Sequence, residues 1–446
     1  MFILGSENVE ENIKKLLTWI NSLNEKTKVN IQRNKLSEST TWFYDENVGS
    51  IHNLDNSFFS IIGLKGRING VNVEQPIIIQ NEIGYLGIIC KKIDGQLKFL
   101  MQAKIEPGNI NCVQLSPTIQ ATKSNFMQRH GGEKPNYLEF FTASDKYRII
   151  ADQIQSEQSS RFLGKRNRNM IIEINEDIMI EVKKNFIWLT LHEIKELMKY
   201  KNIVNMDTRT VLSCLPYMNY DYFDHIRNAS LYRSMHYTKY IDEIIEIYHK
   251  INDYKMFSDN EMHITKLNSL DNWELKDDEI VCKNEYPFKV IFCDIEIEGR
   301  EVKRWTQPLF QANGIATFGL IVTEDDGIMK FLVKIQPEIG AFDKIELGPT
   351  IQKEAAASFH YDEIEELFKR YLDEERDILF DSILSEEGGR FYHEENRNVI
   401  IYINREKLKR LPGDYCLVSY TALNHLNMVN NCLNIQLRNL LSTLEV

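Results

Sequence analysis

Gln75-Pro76-Ile77-Ile78-Ile79 opens a stretch that closes on Pro117-Thr118-Ile119-Gln120, and the chain writes it again from Gln307-Pro308-Leu309 to Pro349-Thr350-Ile351-Gln352. The offset is a constant 232 without a gap, and 18 of the 46 positions are identical. Shared pairs include Gly87/Gly319, Asp94/Asp326, Gly95/Gly327, Glu106/Glu338 and Gly108/Gly340. A second block follows at offset 229, where residues 156–174 and 385–403 share 10 of 19 positions. In it Ser156-Glu157-Gln158-Ser159-Ser160-Arg161-Phe162 faces Ser385-Glu386-Glu387-Gly388-Gly389-Arg390-Phe391, and Asn167-Arg168-Asn169 faces Asn396-Arg397-Asn398. A weaker third block pairs 186–215 with 415–444. A repeat this long is a duplicated domain, not a solenoid. The chain therefore reads as two tandem units, 1–230 and 231–446.

On its N-terminal side each unit is approached by an apolar helical stripe, Ile13, Leu16, Leu17, Ile20 and Leu23 in one and Ile241, Ile244, Ile245, Tyr248 and Ile251 in the other. Trp42 and Trp273 follow, 231 residues apart. Phe58–Leu64 and Phe288–Cys293 read as strands. Asp94-Gly95 and Asp326-Gly327, each between apolar runs, predict hairpins, because Asp-Gly suits a tight primed turn. Met170–Ile174 predicts a further strand, and the spacing of Ile364, Leu367, Phe368, Tyr371 and Leu372 predicts a helix within Tyr361–Ile383. Strands and helices alternate irregularly, as in an α/β (α+β) mixed-sheet α/β/α sandwich.

The 446 residues are 43% apolar and 26% charged, the balance of an ordinary globular protein, long enough for two cores without disulfide staples. The formal charge of −12 argues against a nucleic-acid coat, since phosphate binding needs a cationic surface. Seven cysteines without a Cys-x-x-Cys predict reduced thiols, not a disulfide frame or a zinc ribbon. The first residues lack the basic start of a signal peptide, and no apolar run reaches a membrane span of ~18 residues. A cytoplasmic protein is expected. Gly-rich dinucleotide fingerprints and His-Glu-x2-His are missing from the sequence, so neither a nicotinamide cofactor nor a metal is expected.

Five segments carry a family resemblance: Gln102-Ala103-Lys104-Ile105-Glu106-Pro107-Gly108-Asn109, Gln114–Thr122, Ser156–Asn169, Val204-Asn205-Met206-Asp207-Thr208-Arg209 and Arg304-Trp305-Thr306-Gln307-Pro308-Leu309. The resemblance is to the NDP-hexose 2,3-dehydratases, which act on dTDP-4-keto-6-deoxyglucose in deoxysugar biosynthesis. It runs from about Trp42 to the C-terminus. It implies two tandem Nudix-like domains, a homodimer, and a cofactor-free reaction. In that reaction a base takes the C3 proton, acidified by the C4 ketone, the C2 hydroxyl leaves with help from an acid, and a 3,4-diketo-2,6-dideoxyhexose remains on its nucleotide. The unstable product implies a downstream 3-ketoreductase as a partner.

On that footing Lys104, Glu106, Tyr137 and His130 are the candidates for base, acid and enolate stabiliser. Arg161, Lys165, Arg166 and Arg168, with Asn167, put four cations into eight residues of an acidic protein and suit a diphosphate. Arg161 and Arg168 recur as Arg390 and Arg397, which fits either a shared role or a shared structural ion pair. Gln75, Gln102, Gln114, Thr118 and Gln120, with Gln307, Thr350 and Gln352, are candidate sugar-binding groups or turn-fixing amides and hydroxyls. Thr122 and Lys123 join them. Trp305, facing Val73, offers a ring to the base or a plug to the core.

The copies differ where an anion would sit. Lys165 and Arg166 face Glu394 and Glu395, Lys104 faces Gln336, and Thr122-Lys123-Ser124-Asn125 faces Glu354-Ala355-Ala356-Ala357. The first unit is therefore expected to hold the active pocket and the second a weakened or structural one. Two alternatives remain at this level. One is a Nudix-like nucleotide-sugar pyrophosphate hydrolase, disfavoured because the Gly-x5-Glu-x7-Arg-Glu-x2-Glu-Glu carboxylate cluster that holds magnesium is missing from the sequence. The other is a catalytically silent nucleotide-sugar binding protein.

Overall fold

The computed structural model describes residues 6–54, 58–127, 134–217, 226, 228–298, 302–356 and 362–444. Both Asp-Gly pairs turn as expected. Asp94 and Gly95 have φ of 53° and 75°, Asp326 and Gly327 of 50° and 75°. Positive φ at both central positions is the primed turn that matches strand twist, and it leaves Ile93 opposite Gln96 and Asp325 opposite Ile328.

Each hairpin is the middle of a seven-stranded mixed sheet. In the first, the order is Arg148–Ser156, Arg166–Glu173, Tyr85–Ile93, Gln96–Ile105, Phe186–Thr190, with Val113–Ser116 and Ile119–Ala121 pairing to the hairpin strands. The second repeats this as Ile378–Ser385, Glu395–Tyr402, Ala316–Asp325, Ile328–Pro337, Tyr415–Ser419, with Ile345–Gly348 and Ile351–Lys353. The parallel pair is the same in both, Arg166–Glu173 on Tyr85–Ile93 and Glu395–Tyr402 on Ala316–Asp325. An α/β architecture built by duplication is thus visible strand by strand.

The helix expected within Tyr361–Ile383 is shorter than its pattern. It runs Glu363–Asp373, capped by Asp362, and Ile378–Ser385 is a strand. Glu375 and Asp377 take positive φ of 50° and 51°, which no helix continues through. The apolar spacing carried on because the strand beyond also faces the core.

Two further sheets exchange strands between the units. Val29–Arg33, from the first, lies antiparallel on Phe288–Ile297 of the second. Glu261–Thr265, from the second, lies antiparallel on Ser60–Ile68 of the first. The two tryptophans lock this exchange. Trp42 Nε1 donates to the Thr306 carbonyl at 2.7 Å, and Trp273 Nε1 to the Glu74 carbonyl at 3.1 Å. Both rings are buried, so each indole N–H has the partner that burial demands.

The core is continuous across the repeat. One apolar cluster joins Ile20, Ile88, Met101 and Leu212 to Phe318, Leu320, Leu437 and Leu440. Helices Met206–Ser213 and Ile435–Ser442 pack against each other within it. Asn205 and Asn434 cap them, accepting from the Thr208 and Leu437 amides at 2.9 Å each.

Candidate active site

The loop after Arg148–Ser156 and its repeat after Ile378–Ser385 decide where the site forms, because each reaches into the other unit. Gly108 N donates to the Gly388 carbonyl at 2.7 Å, and Gly340 N to the Ser159 carbonyl at 2.9 Å. Only glycine permits this approach: a Cβ on Gly108 would stand 1.6 Å from the Phe391 carbonyl oxygen, and one on Gly340 2.0 Å from that of Phe162. Buried Arg209 and Arg438 hold the same loops, donating to the Ser385 and Ser156 carbonyls.

A cavity of about 850 Å³ lies under the loop Glu387–Arg390. It is within the size of sites that enclose a small organic ligand. Gln102, Lys104 and Glu106 line it from one hairpin strand and its end, Thr118, Gln120 and Thr122 from the short strand that follows, and Glu157, Lys165, Asn167 and Asp207 from the far side. The second unit supplies Asp294, Arg304, Trp305, Gln307, Glu387 and Arg390, and the leader Asn34, Glu38 and Trp42 close the wall.

Lys104 is the hub of the inner end. Its Nζ is 3.3 Å from Glu106 Oε1 and donates to the Gln120 carbonyl at 3.2 Å. Gln120 Nε2 donates to the same Glu106 oxygen at 2.9 Å, and Asn205 Nδ2 reaches Gln120 Oε1 at 3.3 Å. Glu106 Oε2 is buried with no hydrogen-bond partner among the described residues. Lys165 donates to Asn167 Oδ1 at 3.0 Å and to the Glu82 carbonyl, and Asn167 Nδ2 donates to Glu157 Oε1 at 2.7 Å. Burial lowers the Lys165 ammonium, against the pull of Glu157 and Glu82. Burial likewise raises the Glu157 carboxyl, and burial with neighbouring Glu106 pushes Glu387 up to about 7. Thr122 Oγ1 caps the turn Lys123–Phe126, and Trp305 Nε1 donates to Gln307 Oε1 at 2.9 Å.

The structure thus brings together Gln102, Lys104, Glu106, Thr118, Gln120, Thr122, Lys165, Asn167, Trp305, Gln307 and Arg390. Among these, the Thr118 hydroxyl is spent within the sheet, between the Ile89 amide and the Leu100 carbonyl. Other expected residues sit elsewhere. Tyr137 caps the short helix Leu138–Thr142 against Phe186, its hydroxyl donating to the Glu181 carbonyl and accepting from the Lys183 amide, so it is a structural tyrosine outside the cavity. Arg168 makes a bidentate pair with Asp152, both bonds 2.6 Å, and Arg397 makes the same pair with Asp381 at 3.0 and 2.7 Å. The repetition of these two arginines is that of a structural ion pair. Arg166 stacks on Phe342, 3.9 Å from its centroid, and Lys123 is exposed on its turn. Gln114 accepts from Ser385 Oγ at 2.7 Å, tying the units together. Gln75 donates to the Ser160 carbonyl at 2.7 Å. His130 lies outside the described residues.

Arg161, Thr350 and Gln352 belong to the counterpart region of the second unit. Arg161 Nη2 is 3.0 Å from Glu354 Oε2 and 3.8 Å from Glu394 Oε1, with its guanidinium over Phe288. Glu354 and Glu394 are the residues that replace Thr122 and Lys165. Where the first unit has Thr122 and Lys165 on the cavity wall, the second has two carboxylates facing Arg161. Thr350 is held as Thr118 is, and Gln352 repeats Gln120 by bonding Glu338 and Asn434.

Sequence reasoning missed Asp207, Glu157, Glu387, Arg304 and Asp294. For Asp207 the signal was there: at offset 229 it faces Gln436, the same loss of charge that separates Lys104 from Gln336. Glu387 was harder, because it is written in the second unit and lines the cavity of the first.

Comparison with known proteins adds to this geometry. A family model described as NDP-hexose 2,3-dehydratase matches residues 13–215 and again 245–444. Two relatives are each named dTDP-4-dehydro-6-deoxy-alpha-D-glucopyranose 2,3-dehydratase. The one from Streptomyces violaceoruber is 36% identical over 425 residues, covering 92% of each chain. The one from Saccharopolyspora spinosa is 35% identical over 418 residues, 91% of this chain and 85% of its own. A third of the same name, from Amycolatopsis orientalis, is 32% identical over 453 residues, 99% of this chain and 92% of its own. A match that covers both repeats, on a cavity built from both, means that this chain belongs to the NDP-hexose 2,3-dehydratase family.

Proposed function

We propose that this lyase takes dTDP-4-keto-6-deoxyglucose and removes its C2 hydroxyl, giving the dTDP-3,4-diketo-2,6-dideoxy sugar, and that it does so in the cavity around Lys104. The observation that carries the reading is the Lys104–Glu106 ion pair beside an unpartnered Glu106 Oε2 in a space large enough for the sugar. An ammonium held between a carboxylate and a carbonyl is a fixed cation. It serves better on the developing C4 enolate than as a base. Glu106, anchored through Oε1 by Lys104 and Gln120, presents Oε2 to the C3 proton. Exposed Arg304 and buried Arg390, both on the cavity wall, are the cations proposed for the diphosphate, and Trp305, also on that wall, is the ring proposed for the base.

Each unit is proposed as Nudix-like, supported by the duplicated mixed sheet around a shared parallel pair. The enzyme is proposed as a cytoplasmic homodimer that hands its reactive diketone to a 3-ketoreductase. Light scattering tests the dimer. Among the described residues, no helix is long and apolar enough to cross a membrane.

Incubation with dTDP-4-keto-6-deoxyglucose and a 3-ketoreductase that traps the diketone tests the function. A trapped product lacking one water is expected. Unchanged sugar would leave only the binding-protein reading, and magnesium-dependent release of a nucleoside monophosphate would establish the hydrolase.

A further inference from the structure

Asp207 is 2% exposed, lines the cavity, and its Oδ2 has no hydrogen-bond partner among the described residues. It stands in the first turn of helix Met206–Ser213, behind the Asn205 cap. Three carboxyls from three other segments face it: Glu106 beyond the hairpin strand, Glu157 in the loop after Arg148–Ser156, and Glu387 in the loop from the second unit. Lys104 faces it, as does buried Arg209 two residues further along its own helix, while Lys165 offsets the charge of Glu157 and Arg390 that of Glu387. The fold itself does not ask for a carboxyl here. Gln436 occupies the same place in the second unit, 1% exposed on helix Ile435–Ser442, so an amide packs equally well.

We propose that Asp207 is a catalytic acid of the dehydration, the group that protonates the C2 hydroxyl as it leaves. The inference rests on the dehydratase reading above and assigns the half of the reaction which that reading left without a residue. The base takes the C3 proton, and the C–H pair becomes the C3–C4 double bond of the enolate. That pair then moves to C2–C3 and restores the C4 ketone. The C2–O bond breaks with its electrons, and the oxygen takes the Asp207 proton to leave as water. The remaining C3 enol gives its hydroxyl proton to the Asp207 carboxylate, and C2 takes a proton from the base. Both groups return to their starting states, and the net loss is one water. Burial first, and then Glu157, Glu387 and Glu106, raise the Asp207 carboxyl well above the usual carboxylate range, the direction a proton donor needs.

The test uses the full chain with Asp207→Asn, Asp207→Gln and Asp207→Glu, assayed in D₂O for water loss and for deuterium entering C3 of the unreacted sugar. The amide variants are expected to lose about 10²–10⁴-fold in the rate of water loss, the range of a general acid, with KM within about threefold. They should still exchange the C3 hydrogen, because the base is intact and the enolate can only return. Asp207→Glu should recover part of the rate and shift the alkaline limb of the pH profile. The proposal is overturned if Asp207→Asn loses water at near the wild-type rate. It is equally overturned if exchange and elimination vanish together in a variant whose melting temperature is unchanged. Asp207→Gln, which copies the second unit's Gln436, supplies the folded variant should the asparagine unfold. A wild-type enzyme that neither exchanges nor dehydrates would instead refute the parent reading.

Discussion

Lys104 and its counterpart Gln336 differ by one charge at the position on which the proposed chemistry rests. Lys104→Ala should lower the rate of dehydration by about 10²–10³-fold, the size of losing one fixed donor to an oxyanion. Arg166→Ala, whose guanidinium lies on Phe342 outside the cavity, should leave kcat near normal. Steady-state kinetics on the two variants checks both. Arg168→Ala should cost at most about 1 kcal/mol of stability, as for a half-exposed ion pair, without touching kcat.

Buried acids set a pH dependence at the same scale. Glu346 is pushed up to about 8 from 4.5, mainly by burial, while accepting from Ser156 Oγ at 2.7 Å. Unfolded, such a carboxyl loses its proton at its ordinary value; folded, it keeps it. Across that window the folded state binds more protons, so stability falls as pH rises. The counterpart of Glu346 is Gln114, which accepts the matching bond from Ser385. Glu346→Gln should therefore raise the melting temperature above pH 8 and change it little near pH 5.

Among elements, the loop Glu387–Arg390 matters most, because it carries a carboxyl and a guanidinium of one unit over the cavity of the other. Gly108→Ala must push that loop away, since its Cβ would stand 1.6 Å from the Phe391 carbonyl oxygen. The variant should lose about 1–3 kcal/mol, the cost of overpacking, and most of its activity, measured by chemical denaturation and by turnover. The hairpins were legible in the sequence because Asp-Gly constrains φ locally, and the strands because alternation reports one buried face. The end of the helix at Asp373 was not, because Glu375 and Asp377 adopt positive φ without being glycine. Nor was the strand exchange, since Val29–Arg33 looks the same whichever sheet it joins.

Across the whole chain, the duplication is legible and its intertwining is not. Pattern and offset place Lys104 opposite Gln336, but only the fold shows that Arg390 lines the first unit's cavity and that Arg161 pairs with Glu354 of the second unit. Contacts between the copies run through exchanged strands, paired tryptophans and a common core. Fragments 1–230 and 231–446 made separately should each be inactive, and co-expression should restore dehydration if they find one another. Gel filtration and turnover of the mixture would show it.

The proposed dehydration requires that the first unit's cavity be the one that does the chemistry. The decisive measurement is the mass of dTDP-4-keto-6-deoxyglucose after incubation with wild type, Lys104→Ala and Gln336→Ala. Wild type and Gln336→Ala should yield a sugar nucleotide lighter by one water, and Lys104→Ala should return the sugar intact. Loss of the product with Gln336→Ala but not with Lys104→Ala would place the chemistry in the other unit.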